Sequence, residues 1–342
     1  MGINTSPILS ITIPTYNRAQ YLKENLEAIL KQITDYASKI EIIVNDNAST
    51  DNTSSVITDL AEKYKFPIQY HRKDKNVCFK DNFADVTSKA TGKYLFLLGD
   101  DDILSPDFFK IIFPYLLSKE NLAIIHFNRL SGNAQCSMNQ LHDWVYDGAT
   151  NIYDYKEFWL RVMSSPNFMS SIIIRRDCFI KGKAFAQINH YGYEWFAQAC
   201  FGSIGEKCLY YYFPLILMRN PPRAWGKEGS LYFFVGMTNL FKDLDKFIPG
   251  VNKAWMFRQK HTHFYDFYAS LPYITKYKDI NKPHIGEFMK AMPKTSDKLL
   301  LYILFFCSYF LPYKAYTKLY YTILNLYRII TSEYKLRRKT LY

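Results

Sequence analysis

Gly99-Asp100-Asp101-Asp102 is the stretch of this sequence with the plainest chemistry, because three carboxylates stand in a row with nothing between them. Adjacent carboxylates repel one another, and a cation relieves the repulsion. Hard carboxylate oxygens suit Mg²⁺ or Mn²⁺, ions that commonly bridge to a substrate's phosphates. The plainer alternative is an acidic turn ahead of a helix at Pro106, although a cap needs one carboxylate and not three. Further polar clusters lie upstream: Pro14-Thr15-Tyr16-Asn17-Arg18, Asp46-Asn47-Ala48-Ser49-Thr50, and the segment from Arg72 to Asn76.

The elements around these clusters decide where they meet. Tyr94–Leu98 is apolar at every position, the pattern of a strand buried on both faces in a mostly parallel sheet. Residues 8–13 read as a strand that stops at Pro14, followed by a helix with Tyr21, Leu22, Leu26, Ile29 and Leu30 on one face. A second strand, 41–44, leads to a helix that Ser49 or Thr50 caps and that reaches about Tyr64. A third strand, 67–71, precedes a helix near 79–90, and a fifth strand covers 122–127. Strands alternating with helices argue βαβ units. Right-handed crossovers then align all four polar clusters along the carboxyl edge of the sheet, where such folds collect ligands.

Those segments carry a resemblance. Ile-Pro-Thr-Tyr-Asn-Arg (13–18), Val-Asn-Asp-Asn-Ala-Ser-Thr-Asp (44–51), Lys-Asn-Val (75–77) with Asp81-Asn82, and Leu-Gly-Asp-Asp-Asp-Ile-Leu (98–104) stand in the order and at the separations of a family 2 glycosyltransferase. The chain resembles that family over residues 8–130, and more loosely over 160–220. No G-x-G-x-x-G or Walker sequence competes for a nucleotide. The resemblance implies an α/β GT-A fold, with a Rossmann-like, mostly parallel sheet flanked by helices, and a nucleotide-diphosphate sugar as donor. It places Pro14, Thr15 and Asn17 in the nucleotide pocket and has Asp46 accept a hydrogen bond from a pyrimidine base, which leans toward a UDP-sugar. Tyr16 offers that base a surface, and Arg72 is suited to the diphosphate because a guanidinium grips phosphate oxygens in pairs. Arg18, Asn47, Asn76 and Asn82 complete the implied contacts, although Asn17 and Asn47 also suit plain turns and Asp46 a helix cap.

The resemblance further implies that Asp101 holds Mn²⁺ or Mg²⁺ with Asp102 beside it, while Asp100 lies nearer the donor ribose. Two departures stand out: Asp46-Asn47 where the family often has two aspartates, and Gly99 where it often has the first acid of Asp-x-Asp-Asp. Relatives with Gly-Asp-Asp-Asp build bacterial surface polysaccharides such as O-antigen and capsule. The family inverts configuration in one displacement, so it needs one base. Glu194, just ahead of the apolar stretch 196–200, is the expected base and His190 the fallback; Asp177 and Glu157 have no cluster around them. The expected acceptor is a glycan or a lipid-linked saccharide.

Composition sets the outer limits. The 342 residues suffice for a sizeable core. We expect a catalytic domain over 1–220 (nucleotide-sugar side 1–130, acceptor side 131–220), a helical and loop region over 221–297, and an extension over 298–342. The six cysteines form no C-x-x-C pair, which fits a cytoplasmic protein with reduced thiols, and residues 1–10 lack the basic and apolar pattern expected of a signal peptide. His261 and His263 are two apart and face different ways on a helix. The loop 219–226 offers Arg219 or Arg223 to the donor phosphates and Trp225 to the acceptor, or is an ordinary connection.

The net charge of +12 is concentrated at the end, where residues 298–342 hold eight Lys or Arg against the single Glu333. Residues 299–311 are nearly all apolar but too few to span a bilayer. Tyr316, Leu319, Tyr320, Ile323, Leu324, Tyr327 and Ile330 then recur at helical spacing. Such a basic, tyrosine-rich amphipathic helix suits the anionic inner face of a cell membrane, or packs on the catalytic domain or on a second subunit as an oligomer contact. Two other functions fit parts of the sequence: a catalytically silent glycan-binding or scaffold relative, and a basic nucleic-acid-binding protein. The second fits poorly, because the positive charge lies among apolar residues at one end and no RNA-binding motif is present.

Overall fold

The computed structural model describes residues 6–132, 138–142, 149–162, 168–186, 193–219 and 229–258, together with positions 318 and 322. His190, Arg223, Trp225, His261, His263 and nearly all of 298–342 lie outside the described residues. Two compact units divide the chain, residues 1–223 with 243–251 and residues 224–242 with 252–342. Within the second, Phe241 stacks on Trp255 at 4.6 Å between centroids.

Elements follow in the order β1 (Leu9–Thr15), α1 (Ala19–Leu30), β2 (Ile40–Asp46), α2 (Thr53–Tyr64), β3 (Ile68–Arg72), α3 (Phe79–Ser88), β4 (Tyr94–Leu97), β5 (Ile103–Leu104) and α4 (Phe108–Leu116). After these come β6 (Ile124–Gly132), β7 (Met138–His142), β8 (Asn151–Asp154), α5 (Tyr155–Val162), β9 (Ile172–Arg175), α6 (Arg176–Ala186), α7 (Glu194–Gly202), β10 (Lys207–Met218), α8 (Gly229–Leu244) and α9 (Val251–Arg258).

One sheet runs β3-β2-β1-β4-β9-β6-β10-β5, with β7 on β6 and β8 on β10. β3, β2, β1 and β4 are mutually parallel, as the βαβ pattern requires. The second half is mixed: β9 runs antiparallel to both β4 and β6, whereas β6 and β10 are parallel. The reversal of β9 matters for the site. It brings the start of that strand, and Ser170 just before it, to the carboxyl end of β4.

Local choices match the sequence with two differences. β1 continues through Pro14 to Thr15, because its pairing with β4 ends at Thr12 opposite Leu97 and beyond that point only β2 flanks it. A proline is tolerated where one neighbour is missing. Neither Ser49 nor Thr50 caps α2, which starts later; Asp51 instead accepts from the Thr53 backbone N–H at 3.1 Å and from that of Ala19, the first residue of α1, at 3.0 Å. One carboxylate thus serves two helix starts.

β1 and β4 are buried at every position, and α1 lays Leu22, Leu26, Ile29 and Leu30 against the sheet. Phe96 of β4 stacks on Phe108 of α4 at 5.2 Å, and Phe127 of β6 meets Phe108 edge-on at 5.4 Å. This aromatic trio clamps both ends of the turn that carries Gly99–Asp102.

His126 of β6 is fully buried, with Nδ1 2.9 Å from the Ser171 carbonyl oxygen, and burial pushes its pKa down to about 3. The native imidazole therefore stays neutral while an unfolded one protonates below about pH 6.5. Its contribution is whole above that value and drains as pH falls toward 3, by about 1.4 kcal/mol per pH unit. Denaturant midpoints across pH 4–7 should fall less steeply for His126→Asn than for the wild type.

Candidate active site

The carboxyl ends of β1 to β4 form a ridge whose loops are tied to one another before any ligand is considered. Asn17, at a positive φ of 51°, donates its backbone N–H to Ser49 Oγ at 2.9 Å and accepts the Thr50 N–H on Oδ1 at 2.7 Å. Asp46 lies below the surface, taking the Ser49 N–H on Oδ1 at 2.8 Å and the Tyr70 hydroxyl on Oδ2 at 2.7 Å. Burial, then the bond to Asp46, pushes the Tyr70 pKa up to about 12. Asn47 clamps the next loop, exchanging its side-chain amide with the Val77 backbone at 2.8 and 2.9 Å and reaching Asn76 Oδ1 at 3.2 Å. Arg72 donates to the Ser49 carbonyl at 2.9 Å yet remains half exposed. Above this lattice Tyr16 presents a ring that is 40% exposed.

The three aspartates are treated differently by their surroundings. Asp100 is buried and accepts from Thr15 Oγ1 at 2.8 Å and from Arg18 Nη1 at 3.3 Å. Burial, followed by the neighbouring Asp101 charge, raises its pKa to about 6. Asp102 is also buried, with Oδ2 accepting the Ser170 hydroxyl at 2.5 Å and Oδ1 the Arg219 N–H at 3.3 Å. Burial and the Asp101 charge lift its pKa as well, and it supplies opposite charge to the buried Arg129. Asp101 alone faces outward, its side chain 19% exposed and its Oδ2 2.5 Å from Arg18 Nη1.

Two residues hold this turn from below. Asn25, on the core face of α1, donates to the carbonyls of Gly99 at 3.0 Å and Asp102 at 2.6 Å. Arg219 is buried, donating from Nε to the Asp101 carbonyl and from Nη1 to Glu24 Oε2 at 2.5 Å. Gly99 is required by close packing, since a Cβ there would stand 2.9 Å from Asp102 Oδ2, 3.2 Å from Asp101 Oδ1 and 3.3 Å from Ser170 Oγ. That crowding explains why no acid occupies the first position of the motif.

Among the described residues no three His, Cys, Asp or Glu side chains converge as a protein-only metal cage. The oxygens nonetheless fit a hard divalent ion of the kind that takes one carboxylate from protein and the rest of its shell from phosphates and water. Asp101 is the outward carboxylate of the trio, with Asp101 Oδ1 and Asp102 Oδ2 converging over Gly99. Glu194 opens α7 and pairs with Lys80 of α3, Oε1 to Nζ 3.2 Å. That pair sets the candidate base beside α3, whose preceding loop Asn47 clamps.

The model of the family described as glycosyl transferase family 2 matches residues 10–175, a span that includes all four loops and Ser170. Residues 10–175 are a family 2 glycosyltransferase domain. A similar curated relative, abequosyltransferase RfbV of Salmonella typhimurium, is 29% identical over 235 residues, covering 65% of this chain and 70% of that protein. The fold also resembles that of S. aureus TarS residues 1–349 in complex with UDP-GlcNAc, with a TM-score of 0.57, 12% identity and coverage of 84% and 82% of the two chains. Mannosyltransferase PcManGT from Pyrobaculum calidifontis, in complex with GDP-Man and Mn²⁺, matches with a TM-score of 0.50 at 15% identity over 94% of this chain and 86% of that one.

In this glycosyltransferase Tyr16, Asn17, Arg18, Arg72, Asn76 and Asp101 stand on or near the accessible ridge, and Glu194 lies at its side. Pro14 and Thr15 lie buried beneath it, with Thr15 bound to Asp100. Several expectations need correction. Asn82 does not face the ridge: it is buried and trades its amide with Asn45 at 2.8 and 3.2 Å. Asn47 and Asp46 spend their polar atoms on neighbouring loops, so both position the site from within. Asp102 engages its carboxylate with the Ser170 hydroxyl and the Arg219 N–H, although its Oδ2 still lies beside Asp101 Oδ1 over Gly99. Arg219 is a buried strut and not a free phosphate contact. Arg18 pairs with Asp100 and Asp101, and the buried Arg129 feels the Asp102 charge, so the protein's own cations already offset part of the trio's negative charge.

Residues missed in the sequence are Ser170, Asn25 and Tyr70. Asn25 left a trace, as a lone polar residue on the stripe formed by Leu22, Leu26 and Ile29. Among the described residues no helix is long and apolar enough to cross a membrane.

Proposed function

We propose that this glycosyltransferase moves a sugar from a nucleotide-diphosphate donor, a UDP-sugar, to a hydroxyl of a glycan or lipid-linked saccharide in the building of a bacterial surface polysaccharide, with inversion at the anomeric carbon. The observation that carries the reading is one outward carboxylate, Asp101, on a ridge that also offers an exposed ring at Tyr16 and a half-exposed guanidinium at Arg72. The ring packs a base, the guanidinium takes diphosphate oxygens, and Asp46 shapes the base pocket through Tyr70 and Ser49. Structures of similar fold hold UDP and UDP-GlcNAc in S. aureus TarS and GDP-Man with Mn²⁺ in PcManGT, which supports a nucleotide sugar and a divalent ion here. The likeness to the Salmonella abequosyltransferase supports the polysaccharide setting.

Asp101 is the residue that would hold Mn²⁺ or Mg²⁺, with Arg219 Nε bonded to its backbone carbonyl and Ser170 to the neighbouring Asp102 side chain. A bound divalent ion supplies charge stabilisation to a departing diphosphate. Glu194 takes the proton from the attacking acceptor hydroxyl, and the Lys80 ammonium at 3.2 Å orients that carboxyl. A single displacement needs no second nucleophile.

The test is a panel of nucleotide sugars incubated with the full-length protein and Mn²⁺, read as release of nucleoside diphosphate. Slow release from a UDP-sugar, weakened in Glu194→Gln, is expected. A protein that binds donors but releases nothing, with or without saccharide acceptors, would instead be a silent glycan-binding relative.

A further inference from the structure

Arg18 stands where a cation is wanted. Its Nη1 lies 2.5 Å from Asp101 Oδ2 and 3.3 Å from Asp100 Oδ1, the side chain is only 14% exposed, and its guanidinium sits 5.9 Å from the centre of the Tyr21 ring. The buried Arg219 guanidinium also lies over that ring, at 5.1 Å, and bonds the Asp101 carbonyl, so ring and acidic turn are held by one strut. A divalent ion arriving alone at Asp101 meets a fixed positive charge within a few ångströms and one carboxylate oxygen already engaged, and like charges at that range repel strongly in a partly buried site. A diphosphate reverses the balance. It brings negative charge for the ion and a bidentate partner for the guanidinium, which then no longer needs Asp101.

We infer that Arg18 is a built-in counter-cation that keeps divalent ions off Asp101 until a nucleoside diphosphate draws its guanidinium away, so that ion and nucleotide enter together. The inference rests on the reading of Asp101 as the ion's ligand and goes beyond it in assigning an order of binding. Ion and nucleotide must strengthen each other's binding by the same factor, because linkage is reciprocal. Arg18 is thus a positioning residue acting through Asp101.

The experiment titrates Mn²⁺ into the full-length wild type, Arg18→Met and Arg18→Lys, following the free-ion electron paramagnetic resonance signal with and without UDP; melting curves check the fold, and Arg18→Gln replaces Arg18→Met should the latter fail to fold. Wild type and Arg18→Lys should take up Mn²⁺ weakly alone and at least about tenfold more tightly with UDP. Arg18→Met should bind Mn²⁺ alone about tenfold more tightly than wild type and gain correspondingly less from UDP. Equal affinities for Mn²⁺ alone in wild type and Arg18→Met, with the UDP effect intact, would overturn the role of Arg18 while leaving the ion and nucleotide reading standing. No uptake of Mn²⁺ by wild type even with UDP would overturn that reading, and this inference with it.

Discussion

Asp101→Ala is expected to lower nucleotide-sugar turnover by about 10²–10³-fold, the scale of a lost charge-stabilising group at a reacting centre, with little change in melting temperature. The side chain faces outward, and its partner Arg18 keeps Asp100 as a second carboxylate when Asp101 is gone. Initial rates at saturating donor and Mn²⁺, beside a thermal melt, check both halves of the expectation.

Asp102→Ala should do the opposite, costing about 3–5 kcal/mol of stability because it strips a buried ionic cluster of its acidic member. It removes the acceptor for Ser170 and for the Arg219 N–H, and it leaves the buried Arg129 without that neighbouring charge. Asp102→Asn keeps an acceptor for those bonds and should fall between alanine and wild type. Urea denaturation of the three proteins measures the series. A stable but inactive Asp102→Ala would restore the symmetrical picture in which both aspartates face an ion.

The sequence sets Asp101 and Asp102 side by side as candidate ion ligands, and which way each side chain turns is where legibility stopped. The parallel strands, the helix stripe from Leu22 to Leu30 and the gathering of four polar loops all follow from short-range periodicity and crossover rules, which depend on nothing distant. Which way each polar side chain turns depends on partners far along the chain. Ser170 is 68 residues from Asp102, and Arg219 is 117 residues from it. Asn82 reads as a motif residue, yet its amide is consumed by Asn45, 37 residues away on β2. Ile172-Ile173-Ile174 carried the β-branched signal of a strand, but its antiparallel insertion between β4 and β6 is set by the connections around it. The Gly99 departure was visible as an oddity, and only the structure shows the oxygens that a Cβ there would meet.

We propose that a nucleotide sugar sits on the ridge at the ends of β1 to β4. Hydrogen–deuterium exchange of the full-length protein with and without UDP and Mn²⁺ tests it directly. Slower exchange confined to peptides spanning 15–19, 46–50, 72–78 and 99–102 is the expected result. Unchanged exchange across those four loops at saturating nucleotide, or protection confined to another part of the chain, would contradict it.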